Sequence, residues 1–344
     1  MYSESDIDNA VTAGVLTPAV ANAFRNHVAA ARETPAVDEE HFRLLTGFND
    51  IFVSIALVIL LMAVGQIGGS FARGIGAAAV AAVAWGLAEF FTAKRRMALP
   101  SILLLLAFVG GIAGAVSLFG LAAIGADASD RAQALISALA AVAAAAGAWV
   151  HWRRFAVPIT IAAGVAALVG LALALLLAAI PAAKAAIWPL MAIAGAGVFA
   201  LAMRWDLSDR DRITRRADVA FWLHLAAAPL IAHPIFKMLG VFGNEIGIGT
   251  ALIVLALYLA FGFIALAVDR RALLVSSLVY VLYAMYAIIR SAGAVELSAA
   301  ITGLIIGSAL LVLSAFWHRM RGLVVGTLGD IGQRLPPVSR LAAA

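Results

Sequence analysis

Apolar runs of about twenty residues, separated only by short polar turns, leave this chain few ways to fold. An α-helix needs roughly 20 residues to cross about 30 Å of hydrocarbon, and inside that layer every backbone polar group must be satisfied within its own segment. The runs read as ten spans, at 50–68, 74–93, 99–124, 132–150, 156–180, 185–203, 218–239, 246–268, 272–290 and 297–317. They are continuous and rich in Ala, Leu and Gly, whereas a transmembrane barrel strand alternates and is about half as long. Charged residues make up 12% of the chain and apolar ones 64%, which suits lipid as the solvent; soluble domains carry about 25% charged residues. The fold class expected is all-α: a polytopic transmembrane helical bundle of ten spans with a short N-terminal helical hairpin.

Several function classes drop out. There is no cysteine, so disulfides, thiolate metal sites and cysteine nucleophiles are excluded. "GIGTAL" and "GAGVFA" space their glycines inside apolar spans, without the strand–turn–helix context of a dinucleotide site. No cofactor and no metal is expected. The net charge of +5 does not signal nucleic acid, because the charges map to span ends. Residues 1–40 are polar and lack an apolar core segment, so no cleavable signal peptide is expected there.

The basic residues orient the chain. Alternate connections hold 19 of the 24, including Arg95 and Arg96, Arg153 and Arg154, Arg215 and Arg216, Arg270 and Arg271. The opposite set holds Arg73, Arg131, Lys184, Lys237 and Arg290. The positive-inside bias then predicts both termini in the cytosol. Trp149, Trp152, Trp205 and Trp317 fall at cytosolic ends and Trp188 near an outer end, the depth indoles prefer; Trp85 lies deeper, with no account from sequence. The organisation expected is a cytosolic hairpin and interfacial helix over 1–47, a ten-helix domain over 48–317 and a cytosolic tail over 318–344.

"RRMALPSI" and "RRFAVPIT", and more loosely "RRADVAFW" and "RRALLVSS", each turn into an outward span. A duplicated hairpin and simple positive-inside selection both produce this pattern. Gly65/Gly69, Gly110/Gly114, Gly243/Gly247 and Gly303/Gly307 have the small-xxx-small spacing that lets helices approach closely in lipid. In the N-terminal segment, residues 3–14 end at a glycine suited to a C-terminal cap, and 17–33 begin with Thr17 as cap and Pro18 at the first helical position. Val11, Val15, Leu16, Val20 and Phe24 are expected to form its apolar seam, and 38–53 an interfacial helix leading into the first span.

The "AGVLTPAVANAF" hairpin, the "FRLLTGFNDIFV" lead-in, the "FWLHLAAAPLIAHPIF" span and the "RLPP" of the tail together resemble uncharacterised bacterial polytopic membrane proteins, a family of predicted membrane proteins of unknown function. The resemblance implies a multi-pass protein of the bacterial inner membrane. It carries no activity, cofactor or catalytic residue.

The seventh span concentrates the groups that cost most in lipid. "DVAFWLHLAAAPLIAHPIFKMLG" places Asp218 at its cytosolic mouth, His224 two turns in and His233 in the outer third. The imidazoles are about 13 Å apart along the axis and half a turn out of phase, which argues against a shared metal ion. Pro229 and Pro234 remove the donors for the carbonyls of Leu225 and Leu230. A kinked helix with imidazoles either side of a break suits a proton- or ion-coupled path; histidines bonded to neighbouring helices, with prolines serving packing, are the plainer alternative. Glu89 belongs either to such a path or to a pair with Lys94 or Arg95. Tyr283, with Tyr280 and Tyr286, lines either a polar crevice or an aromatic ridge. Asn49 and Asp50 cap or hydrate the first span. The run 204–218 reads as a solvated, salt-bridged loop at the anionic leaflet or as a docking surface.

Two main functions follow. One is a permease-like protein with its path along the seventh span. The other is an accessory, assembly or regulatory protein whose hairpin and 204–217 loop recruit a protein partner. An intramembrane transferase with a histidine base ranks third, since no carboxylate or asparagine lies one turn from either histidine to orient it.

Overall fold

The computed structural model describes residues 4–31, 48–125, 127–210, 212, 214–241, 247–291 and 298–336, and every regular element among them is helical. The expected interfacial helix lies largely outside these residues, as do Gly243 and the side chain of Arg290.

The N-terminal segment forms its own compact unit. It pairs α1 (Glu4–Thr12) with α2 (Pro18–Ala31). Gly14 adopts φ +74° between them, and the Thr17 hydroxyl accepts from the Val20 N–H, as the capping pattern predicts. Arg25 clasps Asp8 at 2.6 Å across the hairpin. The expected seam is corrected. Ile7 and Ala21 are buried, while Val15, Val20 and Phe24 are exposed.

The larger unit holds α3 (Phe48–Phe71), α4 (Arg73–Ala88), α5 (Ala98–Ile124), α6 (Asp130–Phe155), α7 (Ile159–Ala179) and α8 (Ile187–Ser208). It continues with α9 (Arg215–Met238), α10 (Ile248–Val268), α11 (Ala272–Ser291), α12 (Ser298–Ala315), α13 (Trp317–Thr327) and α14 (Asp330–Arg334). A π-helical turn, Glu89–Lys94, extends α4, and a 3-10 turn, Pro181–Ala186, leads into α8. Among the described residues, nine helices are long and apolar enough to cross a membrane, or ten with α12 and α13 taken together. The protein is thus a polytopic helical membrane protein. Long-range contacts fit an alternating path: Glu89 pairs with Arg154 at the arginine-rich end, and Asp130 with Lys184 at the other.

The bundle is organised around α9. Half of its apolar window is buried, against 17–39% in the other spans, and it packs on α7, α8 and α11. Its inner positions are small: Ala220, Ala227, Ala228 and Ala232 are fully buried, so neighbouring backbones come close. The helix runs continuously through both prolines. Pro229 is exposed and Pro234 buried. Beside the Leu230 carbonyl, which Pro234 leaves without its N–H donor, α8 presents Gly195; a Cβ there would lie 2.8 Å from the Leu230 carbonyl carbon.

Close approaches elsewhere follow the glycine spacing at Gly65/Gly69 but not at Gly110 or at Gly303/Gly307. Gly76 packs against α3 at Gly65 and Gly69, and Gly111 against Ala77 and Ala81. Gly110, Gly303 and Gly307 face open space. Among the described residues, four non-glycine residues take positive φ: Arg96, Ala156, Arg212 and Asp269, one in each of four turns at the arginine-rich end. They sit at different registers relative to the paired arginines, so similar turn geometry arises without a shared motif position.

The tenth span lies within two residues of its expected bounds and ends in a sharp bend. Helix α12 ends at Ala315, and α13 leaves it at 79°. Residues 318–336, assigned to the tail from sequence, belong to the larger unit, and α13 packs on α10.

Candidate functional site

The groups that matter meet where α8 ends, α9 begins and α10 turns into α11. Helix α8 carries Asp206 two residues before its end, with a side chain only 1% exposed. From α9, His224 Nε2 lies 2.8 Å from Asp206 Oδ2. From the α10–α11 turn, Arg270 donates through Nη2 to Asp206 Oδ1 at 2.5 Å and through Nε to Oδ2 at 3.2 Å. The same Nη2 reaches the Ala217 carbonyl at 3.3 Å. A fork-to-fork pair of this kind fixes both position and orientation.

A carboxylate paired with a guanidinium only accepts, so His224 Nε2 carries the proton and donates. Nδ1 is then the atom that takes or releases a proton, and it is buried without a hydrogen-bond partner. The Phe199 ring meets the imidazole edge-on, 5.0 Å between centroids. Phe199 also lines a groove of about 710 Å³ along α8, with Met203, Arg204, Leu207 and Ser208.

A second ionic group adjoins the first in sequence. Asp269 takes a left-handed conformation at the end of α10, φ 59° and ψ 47°, which aspartate tolerates better than most residues. Its carboxylate accepts from Arg212 Nη1 at 2.8 Å and from Trp317 Nε1 at 2.7 Å, with Arg321 Nε 3.6 Å away. Arg271 stacks over the Trp317 ring at 4.7 Å. Arg321 donates to the Pro336 carbonyl at 2.6 Å, and Arg210 to the carbonyls of Gln333 and Leu335, so residues 333–336 are strapped to this end. The 204–218 run is therefore not simply a solvated loop. Asp206 and Asp209 are buried and the Arg212 side chain is 4% exposed, while Arg210, Arg215 and Arg216 face outward. Thr214 donates to Asp209 through both its N–H and hydroxyl, closing the turn.

The other residues singled out from sequence scatter. Asp218 is exposed at the start of α9. His233 meets Tyr280, Nδ1 to hydroxyl 2.8 Å, with Trp188 against its ring at 5.5 Å. Tyr280 is buried and stacks on Phe236, whereas Tyr283 is exposed, so the crevice candidate on α11 is Tyr280. Between the imidazoles the buried face of α9 is Ala227, Ala228 and Ala232, apolar throughout. Glu89 pairs with neither Lys94 nor Arg95 but takes Arg154 in two hydrogen bonds, 2.9 and 2.6 Å. Asp50 is buried in the first turn of α3.

Sequence reading missed Asp206, Arg270, Asp269 and His151. The carboxylate that orients His224 comes from another helix, so the reason given against a histidine base does not hold. Asp206 follows Trp205 at a span end, where its signal is the same as a solvated acid's. His151 is fully buried, bonded to the Thr160 hydroxyl at 3.2 Å and boxed by Trp85, Phe108 and Phe155. That box accounts for the depth of Trp85. Trp317 is likewise buried, and it donates to Asp269.

Comparison with protein-family models, with curated proteins and with solved structures gives no match.

Proposed function

We propose that the chain is a permease-like protein of the bacterial inner membrane, with both termini in the cytosol and its cytosolic gate at Asp206, His224 and Arg270. One observation carries this reading: a titratable imidazole joins a dry ion pair that ties α8, α9 and the α10–α11 turn together. Ionisable groups in a span are costly and mark functional sites by default, and imidazole is the side chain whose charge neighbouring groups most readily switch. A proton on Nδ1 adds a second cation beside one carboxylate, which alters the forces among three elements at once. His233 and Tyr280 form the opposite polar station on α9. The apolar stretch between the stations is the barrier that helix movement must open.

Because the chain has no cysteine, a single one reports access directly. Ala227→Cys, fully buried between the stations, is expected to react with a water-soluble maleimide in native membranes. Divided by the rate of an exposed reference cysteine, Val15→Cys, to remove the pH dependence of thiolate formation itself, the rate should change several-fold between pH 5 and 8. His224→Gln should abolish that remaining pH dependence. A cysteine that stays unreactive at every pH, yet labels fully after unfolding, would falsify the gate.

The accessory reading has its own support. The N-terminal hairpin is a separate unit that leaves Val15, Val20 and Phe24 exposed. It predicts that deleting residues 1–36 removes co-purifying proteins while the remainder still elutes as a single species. Retention of every partner by the truncated chain disposes of it.

A further inference from the structure

Helix α13 anchors Asp269 with one face and has a second. Its inner stripe, Trp317, Arg321 and Val324, packs on the bundle, with Trp317 and Arg321 buried. The adjacent stripe begins at Phe316 and continues through Met320 and Leu323, at i, i+4 and i+7. These three are 46%, 41% and 68% exposed. Flanking that stripe is exposed Arg319, whose guanidinium lies over the Phe316 ring at 5.6 Å.

The geometry says what surrounds that face. The 18 residues of α12 rise about 27 Å, close to the hydrocarbon thickness. Leu311 and Val312, in its last turns, are exposed as lipid-facing residues are. The chain then turns by 79°, so α13 runs across the span direction at the depth where α12 leaves the hydrocarbon. It does so at the end of the bundle that gathers most of the arginines. A helix in that plane, with apolar residues on one stripe and arginine beside it, matches the layer where acyl chains meet phosphates.

We infer that α13 is an interfacial helix whose Phe316–Met320–Leu323 stripe inserts among the acyl chains of that leaflet and whose Arg319 holds an anionic phospholipid headgroup. The anchors on its inner stripe tie this lipid contact to the Asp269 group. Lipid composition is thereby felt at the same end of the bundle as the ionic cluster. The inference does not depend on transport.

The test uses the full chain with Leu323→Cys, an exposed position, carrying an environment-sensitive fluorophore. It is reconstituted in vesicles of phosphatidylcholine and phosphatidylglycerol, with a spin label near the top of the acyl chain of one lipid or the other at equal label content. Quenching by labelled phosphatidylglycerol is expected to exceed that by labelled phosphatidylcholine by about twofold. Arg319→Glu should bring the two to equality, with the size-exclusion profile unchanged. Equal quenching in the unsubstituted background, or no quenching by either lipid together with free access to aqueous iodide, overturns the inference.

Discussion

Asp206→Ala is expected to remove about 3–5 kcal/mol from the stability of the bundle, the loss seen when one partner of a buried pair is taken away and the other charge stays behind. The structure explains the size. Asp206 is the acceptor for Arg270 and the partner of His224, and all three are nearly inaccessible to water. Without it, a guanidinium and an imidazole N–H are left in a dry site between three elements. Denaturant titration in detergent micelles, followed by tryptophan fluorescence, measures the loss. Asp206→Leu combined with Arg270→Met should recover a large part of it, since apolar residues replace the whole pair. A single alanine variant within 1 kcal/mol of the parent would mean that water reaches the cluster. By contrast, the Glu89–Arg154 pair is about half exposed, and such pairs contribute about 0–1 kcal/mol.

The second large effect is steric. A Cβ on Gly76 would lie 2.4 Å from the Gly65 carbonyl oxygen and 2.8 Å from the Gly69 nitrogen. Those are backbone atoms of α3, so no rotamer change relieves the clash and the helices must separate. Gly76→Leu should therefore cost at least about 1–3 kcal/mol, the usual penalty of overpacking. Gly303→Leu, built into open space, should stay within about 0.5 kcal/mol of the parent. The paired comparison in one detergent separates packing from any general effect of added leucine. Equal stabilities for both variants would show that α3 and α4 do not pack as closely as described.

Both predictions turn on features that sequence reading ranked low. Gly65/Gly69 matched a spacing motif and do seat the facing helix, but the residue they receive, Gly76, matched none. Spacing along one helix says that small residues share a face; it does not say which helix meets that face. Asp206 was assigned to a solvated loop on the same footing as its exposed neighbours. The cost of burying a carboxylate depends on what sits opposite, and here that is a residue 64 positions later. Of the three tyrosines on α11, Tyr283 was singled out and Tyr280 is the one that meets His233. A stripe repeating every three residues drifts around the helix, so its inward member is chosen by the neighbours.

Other features were legible for a stated reason. The threonine cap and first-turn proline of α2 are local, set by residues within one turn of each other. The spans were legible because the transfer of a helix into lipid is close to a sum over its own side chains, and that sum needs no knowledge of partners. The end of the tenth span shows the limit. An apolar count carries the helix to residue 317, while the backbone turns at Phe316, where Trp317 and Arg321 are drawn to Asp269.

The chain alone therefore determined its solvent, its class and the alternation that gathers the arginines at one end. Tertiary structure decided which acids are buried, which histidine has a carboxylate and which glycines touch. The reason is that hydropathy belongs to single residues, whereas the partner of a charge or a void belongs to pairs brought together from different helices.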